Sequence, residues 1–452
     1  MSVRGRERAV VLGGSVAGLL TASALADSYR SVVVVERDVL PSHPGHRRGV
    51  PHGRHAHGIL PSGLRLIEEL LPGLTAGLVA QGALRGDILG NVRWYLNGRL
   101  LRQAETGLTA LSASRPLIET AIRAAVRRRA NVTVLDGYDI VGIGTTPDRR
   151  RVVSARVTGC RGEGSRVLPA DLVVDCTGRA SRAPRWLADL GYSPPGEDVV
   201  GIDLSYATRV FAMPAGPFGD DLFVATTRFP GRRRSAIAQR LEGGRALVTL
   251  AGVLGERPPA DLDSFTAYAR TLAVPDTYEI VRAGTPLGEP ATFRCPTYVR
   301  RRFERLADFP AGFLAVGDAV CAFNPVYGQG MTVAAATATA LRDHLRTAGS
   351  PDPLAFFAAQ SRLLDAPWAL AAGADLALPG VTGPALPPSP LTGDYLARLQ
   401  QAAVHDADLA TAFIRVTSLV DPPSALLSDE VRAHLDRQPA AGPPAGLEPA
   451  PR

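Results

Sequence analysis

The clearest pattern of apolar and polar positions lies in the first forty residues. A short apolar run at 9–12 has the composition of a buried strand, and glycines crowd the six positions that follow it. An alanine- and leucine-rich stretch at 19–26 predicts a helix, and a second apolar run at 31–35 predicts another strand. This order predicts a β-α-β unit.

Similar patterns continue along the chain. Strands are predicted at 92–102 (a pair), 132–135, 171–175 and 313–316, and helices at 61–71, 114–129, 331–345, 353–371 and within 393–435. Between 201 and 254 apolar and polar positions alternate, which is typical of short strands and indicates an inserted β-rich region. The segment 37–58 is too irregular for an element. The predicted fold class is α/β.

The composition disfavours several classes of enzyme. The 452 residues contain no lysine, so all 50 basic residues are arginine. A Walker A loop, the strand lysine of protein kinases and a Schiff-base lysine are therefore absent. ATP-driven phosphoryl transfer is not expected.

The positive charge does not indicate a nucleic-acid partner. The formal net charge is +7, but the groups of three arginines are dispersed at 127–129, 149–151, 232–234 and 300–302. No helix-turn-helix, RNP or zinc pattern accompanies them. Arginine enrichment together with 46 glycines and 37 prolines is also typical of a GC-biased genome. We expect these arginines to lie on a solvated surface and expect no nucleic-acid partner.

Cysteine usage and the chain's start favour a reducing compartment. The four cysteines are far apart and form no C-x-x-C pair: Cys160, Cys176, Cys295 and Cys321. The first residues show no signal-peptide pattern, so a cytoplasmic location is expected. Residues 319–341 carry no charge, but prolines and glycines interrupt them, so no transmembrane segment is predicted. The oligomeric state stays open.

The glycine-rich turn after the first strand is typical of a dinucleotide site. It reads Gly13-Gly14-Ser15-Val16-Ala17-Gly18, and Glu36 and Arg37 stand at the end of the next strand. The first glycine makes the tight turn, the small middle residue lets N–H groups approach a pyrophosphate, and the last glycine lets helix and strand pack closely. Ser15 replaces the usual middle glycine and adds a hydroxyl donor. Glu36 supplies the carboxylate for the adenosine ribose.

Two later segments indicate which dinucleotide binds. Asp175-Cys176-Thr177-Gly178-Arg179-Ala180-Ser181-Arg182 directly follows a buried strand. Gly317-Asp318 follows another, ahead of Asn324-Pro325-Val326-Tyr327-Gly328-Gln329-Gly330-Met331. With these motifs in this order, the chain resembles the group A flavoprotein monooxygenases of the p-hydroxybenzoate hydroxylase fold. The resemblance implies that the dinucleotide is FAD.

The resemblance implies roles for the matching residues. Asp318 would contact ribitol or ribose oxygens, and the loop after Pro325 would pack on the isoalloxazine. The backbone N–H groups that would face the flavin pyrimidine belong to Gly328, Gln329, Gly330 and Met331. A helix N-terminus is suited to the N1–C2=O edge of the flavin, because that edge becomes anionic when the flavin is reduced. The segment that is linked in the family to both FAD and NAD(P)H contains Asp175, Gly178 and Ser181. Arg115 matches a family position that approaches FAD from the start of a helix.

Three histidines fall within six positions of one loop: His52, His55 and His57. The stretch is similar to one in a bacterial subset that includes flavin epoxidases of polyether biosynthesis and relatives of squalene epoxidase, in which glutamine often stands at the position of His52. No acidic or cysteine cluster accompanies them, so no metal is predicted. Two interpretations stay open: the backbone of this loop borders the flavin, or the segment is a plain loop. Whether Arg54, His55 and His57 touch the flavin stays open as well.

The resemblance also divides the chain into domains. It implies a Rossmann-like FAD-binding domain with an inserted β-sheet substrate domain, C-terminal helices and a disordered tail. The predicted bounds are 1–75, 103–185 and 303–350 for the FAD-binding domain, 76–102 and 186–302 for the substrate domain, 351–437 for the helices and 438–452 for the tail.

The implied activity is that of an FAD-dependent monooxygenase. NADPH or NADH reduces the flavin, O₂ adds to give a C4a-hydroperoxide, and one oxygen passes to an apolar small molecule. The β-rich region supplies apolar surface and no obvious base, with Tyr206, Phe211, Met213 and Phe223. An alkene needs no base, whereas a phenol is helped by one.

We therefore expect epoxidation of an alkene in a bulky polyketide or terpenoid of secondary metabolism, such as antibiotic biosynthesis. Hydroxylation of a phenolic polyketide, a reductase of the geranylgeranyl-reductase kind and a flavoprotein that only senses or scaffolds stay as alternatives. The tryptophan motif of flavin halogenases is absent, and the sequence identifies no catalytic residue.

Overall fold

The structure, a computed structural model, describes residues 6–227, 231–347 and 351–437, so the tail predicted at 438–452 lies outside the described residues. The strands are β1 (Arg8–Leu12), β2 (Ser31–Glu36), β3 (Leu84–Asp87), β4 (Val92–Leu96), β5 (Arg99–Leu100), β6 (Thr109–Ser112), β7 (Val132–Asp136), β8 (Tyr138–Thr145), β9 (Val152–Gly159), β10 (Ser165–Pro169), β11 (Leu172–Asp175), β12 (Glu197–Ala212), β13 (Phe223–Thr226), β14 (Arg234–Leu241), β15 (Arg245–Gly252), β16 (Thr285–Arg301), β17 (Phe313–Ala315) and β18 (Cys321–Ala322).

The helices confirm most of the predicted ones to within a few residues. They are α1 (Val16–Ala26), α2 (Pro61–Leu70), α3 (Leu74–Ala80), α4 (Arg115–Arg127), α5 (Ala183–Leu190), α6 (Leu262–Arg270), α7 (Asp276–Ala283), α8 (Gly330–Thr347), α9 (Pro353–Leu376), α10 (Gly393–Ala402), α11 (Ala407–Thr417) and α12 (Asp429–Arg437). Within the part of the chain that the structure describes, no helix is long and apolar enough to span a bilayer.

Five strands form a parallel sheet in the order β17-β11-β1-β2-β7. Residues 9–12 of β1 and all of β11 are buried, as expected for central strands with both faces covered. Helix α1 joins β1 to β2, which confirms the predicted β-α-β unit. Because the strands are parallel, their carboxyl ends meet at one edge of the sheet, where α/β proteins bind ligands.

Eight strands form a second sheet in the order β18-β16-β12-β15-β14-β13-β4-β5. One face packs against α6 and α7, and on that face Phe211 lies 6.4 Å from Phe265 between ring centroids. Met213 packs against the same cluster. Phe211 of β12 and Met213, which lies just beyond its end, therefore belong to the helix-covered face.

Smaller elements complete the architecture. Strands β8, β9 and β10 form one sheet, and β3 and β6 another. Helices α10, α11 and α12 share a hydrophobic cluster with Leu222 and Phe223 of the eight-stranded sheet region. Phe223 thus packs against the C-terminal helices.

The arginine group at 300–302 is buried, which corrects the expectation of a solvated surface. Arg300 is 1% exposed and Arg301 8% exposed. Arg300 pairs with Asp365 of α9 at 2.6 Å, and Arg301 pairs with Glu197 of β12 at 2.9 Å. The first pair therefore joins α9 to the end of β16, and the second joins β16 to β12 within the sheet.

Candidate FAD site

The motifs that begin at Gly13, Asp175 and Gly317 each lie at the carboxyl end of a strand of the parallel sheet, whereas residues 324–331 follow β18 of the eight-stranded sheet. The turns touch one another: a Cβ on Gly13, whose φ is +103°, would lie 2.6 Å from the carbonyl oxygen of Cys176. A Cβ on Gly18 would lie 1.8 Å from the carbonyl oxygen of Gly13. Both positions therefore require glycine. Residues 13–18 are termed the backbone cradle; the N–H groups of Gly13 and Gly14 donate to the Val35 carbonyl and to Glu36, and those that follow begin α1 at the ligand-binding edge of the sheet.

Ser15 precedes α1, but its hydroxyl does not cap that helix. The hydroxyl accepts a hydrogen bond from Arg115 Nη2 at 2.9 Å and donates one to Glu119 Oε2 at 3.2 Å. The first N–H groups of α1 thus have no side-chain cap from this residue, and a helix N-terminus in that state favours an anion such as a pyrophosphate. Ala17 lies beside the next motif, 2.9 Å from a Cβ built on Gly317.

Glu36 lies in a buried group of charges at the end of β2. Its Oε2 accepts a hydrogen bond from the Gly14 N–H at 2.9 Å and lies 3.0 Å from Arg47 Nη1. The Arg47 side chain is 6% exposed and also pairs with Asp38 at 3.1 Å and with Glu119 at 2.5 Å. These four charged residues and Arg115 are termed the charge group. It places three carboxylates and two guanidinium groups beside the backbone cradle.

Sequence reasoning missed Arg47 and Glu119. Arg47 lies in the irregular segment 37–58, and Glu119 follows Arg115 by one helical turn, a spacing that could have indicated the pair. Burial raises the pKa of Glu119, but Arg115 and Arg47 together outweigh it and hold the pKa below its usual value. Arg37 is exposed, and its side chain forms no hydrogen bond or ion pair with the described residues. Its contact with FAD stays a prediction.

The carboxylates of Asp175 and Asp318 differ in their hydrogen-bond partners. Asp175 is fully buried and accepts hydrogen bonds from Thr177 Oγ1 and Ser181 Oγ, each at 2.6 Å, so it is used within its own turn. Burial raises its pKa. Asp318 is half-buried, and across residues 6–227, 231–347 and 351–437 its carboxylate has no hydrogen-bond or ion-pair partner. Burial raises its pKa as well. Such a carboxylate can accept hydrogen bonds from ligand hydroxyls.

Residues 324–331, termed the flavin loop, border Asp318. A Cβ on Gly330 would lie 3.9 Å from Asp318 Oδ1, and a Cβ on Gly178 would lie 3.9 Å from Asp318 Cβ. Residues 325–327 form a 3-10 turn, Gly328 has a φ of +65°, and α8 begins at Gly330. The predicted residues of both later motifs therefore come together around Asp318.

The residues present fit FAD. Arg115 Nε and Gln329 Oε1 are buried and have no hydrogen-bond partner among the described residues. A buried polar atom without a partner costs about 1–3 kcal/mol, so a bound FAD that supplied partners to these two atoms would be stabilised by them. The Met331 side chain is buried in the hydrophobic core, which leaves its backbone for the predicted contact.

Residues 51–58, termed the histidine loop, join the FAD side to the eight-stranded sheet. A Cβ on Gly53 would lie 3.4 Å from Arg115 Cγ, and one on Gly328 would lie 4.0 Å from the carbonyl oxygen of Gly58. Buried side chains of three strands hold the other side. The contacts are His55 Nδ1 to Thr208 Oγ1 at 2.7 Å, the Ala56 N–H to Thr249 Oγ1 at 3.0 Å, the His57 N–H to Gln239 Oε1 at 3.3 Å and Gln239 Nε2 to the His57 carbonyl at 3.1 Å.

The three histidines are neutral at pH 7. Burial, with Arg115 adding to it, lowers the pKa of His52 to about 3 and that of His57 well below its usual value. Burial and Arg54 lower the pKa of His55 to about 4. His57 Nδ1 lies 3.0 Å from the carbonyl oxygen of His55, which can only accept, so Nδ1 carries the proton. Nε2 of His57 therefore has the free lone pair.

Aromatic rings surround the histidine loop on the sheet side. Neighbouring ring centroids among His52, His55, Tyr206 and Phe293 lie 5.5 to 6.5 Å apart. Tyr206 thus packs against His55 of the histidine loop. Phe293 was missed, because the irregular strand β16 shows no clean alternation.

Two other features lie apart from the backbone cradle. Within the described part of the chain, one group has metal-ligand spacing, and it lies on the C-terminal helices: Asp406, Asp408 and His434. A cleft of about 850 Å³ lies between α2, α3 and residues 107–109. None of the predicted site residues lines it.

The chain is similar in sequence to a protein of comparable length. It is 32% identical to protein Rv3254 of Mycobacterium tuberculosis over 445 residues, which cover 92% of this chain and 90% of that protein. No family model matches the chain.

Two solved structures share the fold. The structure of PqsL, a probable FAD-dependent monooxygenase from Pseudomonas aeruginosa, is 20% identical with a TM-score of 0.58 and covers 82% of this chain and 97% of its own. A flavoprotein/dehydrogenase from Cytophaga hutchinsonii is 14% identical with a TM-score of 0.66 and covers 95% of both chains. The chain therefore belongs to the family of protein Rv3254 and has the p-hydroxybenzoate hydroxylase fold of the group A FAD-dependent monooxygenases.

Proposed function

We propose that the protein is an FAD-dependent monooxygenase that uses NADPH or NADH and O₂. The main support is the Asp318 carboxylate, which lies without a partner among the described residues between Gly178 and Gly330, at the edge where the backbone cradle opens. When bound, FAD would accept reducing equivalents from NAD(P)H and activate O₂. The chain's part is to bind, to orient and to exclude water.

The proposed FAD contacts follow the order of the motifs. The N–H groups of the backbone cradle that begin α1 would bind the pyrophosphate, with Arg115 supplying positive charge beside Ser15. Glu36 would bind the adenosine ribose, and Asp318 the ribitol. The backbone of residues 328–331 would face the flavin pyrimidine. Asp175 would act indirectly, by fixing the turn that contains Gly178.

For the substrate we propose an alkene in a bulky apolar polyketide or terpenoid, which would be epoxidised. Tyr206, Phe293 and the neutral His52 form an aromatic, uncharged cluster at the histidine loop. That loop reaches the flavin loop at Gly58, whose carbonyl lies 4.0 Å from a Cβ built on Gly328. Such an aromatic cluster suits an apolar ligand, and oxygen transfer to an alkene needs no protein base.

A second candidate is hydroxylation of a phenolic polyketide. The observation that favours it is the free lone pair on Nε2 of His57. A neutral imidazole can accept a hydrogen bond from a phenol and help to remove its proton. Because Gln239 holds both the N–H and the carbonyl of His57, this acceptor is fixed in place.

The test begins with the purified protein, its visible spectrum, and NADPH oxidation and O₂ uptake with a panel of polyenes and phenols. We expect a flavin spectrum and substrate-stimulated O₂ uptake with an oxygenated product. His57→Gln should leave epoxidation of polyenes unchanged and lower hydroxylation of phenols at least tenfold, which separates the two substrates.

Other outcomes would contradict the proposal. A colourless protein that FAD cannot reconstitute would exclude a flavoenzyme. Turnover that needs NADPH but no O₂ would indicate a reductase instead. FAD binding without turnover on any substrate, and without NADPH-dependent peroxide release, would favour a sensing or scaffolding role.

A further inference from the structure

A buried carboxylate of the C-terminal helix α9 lies against the flavin loop. Asp375 is 0% exposed and accepts three hydrogen bonds. Its Oδ2 accepts from Tyr298 Oη at 2.8 Å and from Asn324 Nδ2 at 2.9 Å, and its Oδ1 accepts from Tyr327 Oη at 2.7 Å. The one carboxyl group thus joins three side chains from β16 and the flavin loop.

Two of the three donors belong to the flavin loop. Asn324 is fully buried, and its Oδ1 accepts from the Val326 N–H at 3.1 Å. Since the amide oxygen is used there, the amide nitrogen must face Asp375, which fixes the Asn324 side chain. Tyr327 directly precedes Gly328. Asp375 therefore holds both sides of the turn that leads into the residues proposed to face the flavin.

The helix that carries Asp375 is itself anchored. Gln360 of α9 donates a hydrogen bond to the carbonyl of Ala315 at 3.4 Å, and the Arg300–Asp365 pair joins α9 to the end of β16. Helix α9 can thus act as a rigid support, whereas the flavin loop is a 3-10 turn with few backbone bonds of its own.

We propose that Asp375 is a positioning residue for the flavin loop. Its carboxylate fixes Asn324 and Tyr327, and through them the direction in which the N–H groups of residues 328–331 face FAD. A C-terminal helix, which contains none of the predicted FAD contacts, thereby sets the geometry of the flavin site. The inference rests on the proposed function, because it requires that the loop binds FAD.

The two tyrosines give a matched pair of variants. Tyr327→Phe and Tyr298→Phe each remove one hydroxyl bonded to the same carboxylate, but only Tyr327 lies in the flavin loop. Tyr298 packs on Trp368, with ring centroids 5.4 Å apart, so the Tyr298→Phe ring stays supported. The measurements are the FAD dissociation constant of the apoprotein by fluorescence quenching, the flavin absorbance spectrum and the midpoint potential of the bound flavin.

We expect Tyr327→Phe to weaken FAD binding about tenfold, or 1.4 kcal/mol, and to shift the flavin spectrum and midpoint potential. Tyr298→Phe should stay within twofold of the wild-type constant with an unchanged potential. Asp375→Asn should resemble Tyr327→Phe, and adding Tyr327→Phe to it should cause little further loss.

Equal effects of the two tyrosine variants on the flavin would overturn the proposal, since Asp375 would then serve overall stability alone. So would a Tyr327→Phe variant with wild-type FAD affinity and potential. If the wild-type protein does not bind FAD, the proposed function itself fails, which is a separate result from equal effects in a protein that binds it. Melting temperatures of all variants show how much of any change is general destabilisation.

Discussion

Replacing Arg47 by methionine removes the central cation of the charge group and keeps most of the side-chain volume. Glu36, Asp38 and Glu119 lose a partner at 3.0, 3.1 and 2.5 Å. Breaking a buried ion pair costs about 3–5 kcal/mol, because the remaining charge stays in a region of low dielectric constant. Glu119 keeps Arg115 at 3.1 Å, so we expect the lower value, a loss of about 3 kcal/mol in the free energy of unfolding.

The loss should depend on pH in a definite direction. In the folded wild type, burial raises the pKa of Glu119, but Arg115 and Arg47 lower it more, so it lies below its ordinary value of 4.5. A lowered pKa contributes stability above the unfolded value and loses it as pH falls through the folded value. Without Arg47 the folded pKa rises, and the carboxylate takes up a proton more readily. The difference between wild type and variant should be largest at pH 7 and shrink as pH falls below 4.5.

The assay is urea unfolding of the FAD-free protein followed by circular dichroism. A matched control is Arg65→Met, which breaks the Arg65–Glu69 pair at 2.7 Å, whose side chains are 68% and 42% exposed. An exposed pair contributes at most about 1 kcal/mol. If Arg47→Met destabilises the protein no more than Arg65→Met, the reasoning about the charge group is refuted.

Three further variants test other parts of the site. Gly18→Ala should abolish FAD retention, because its Cβ would lie 1.8 Å from the Gly13 carbonyl oxygen. Gly77→Ala is the control: its Cβ would have no atom within 4 Å, so this variant should keep the full flavin absorbance. Equal flavin content in the two variants would contradict the role of the backbone cradle in FAD binding. Asp318→Ala should weaken FAD binding at least tenfold, and wild-type occupancy would exclude its ribitol role. His55 has a folded pKa of about 4 against an ordinary 6.5, so its protonation in the unfolded state should cost the apoprotein about 2 kcal/mol between pH 7 and pH 5. His55→Asn should reduce that slope in urea melts at the two pH values, and an unchanged slope would show that His55 is not buried in its neutral form.

Local rules explain what the sequence could predict. The positive φ of Gly13 and the close approach of Gly18 to the Gly13 carbonyl involve only positions 13–18, so the spacing of glycines alone indicated them. Strand alternation showed that β12 has two faces but not which face meets the helices. Which face is covered depends on α6 and α7, which follow β12 by some fifty positions. The sequence therefore did not show that Phe211 packs against these helices.

The missed residues depend on contacts between distant parts of the chain. Arg47 lies in a segment without periodicity, and its partner Glu119 is 72 positions away. The hydrogen bond to the His55 ring comes from Thr208, which is 153 positions away. Propensity and spacing carry no information at these separations, because both describe only positions that are close in the sequence.

The irregular segment 37–58 connects the FAD side of the molecule to the eight-stranded sheet through side chains. Arg47 belongs to the charge group, and the histidine loop bonds to three strands, so both ends of the segment depend on their partners. The positive charge of Arg115 is one reason why the pKa values of His52 and His57 are low. A pyrophosphate bound at the backbone cradle would offset that charge, and both histidine pKa values should then rise. Histidine NMR titrations with and without FAD should show this upward shift, and its absence would mean that the cradle and the histidine loop are not electrostatically coupled.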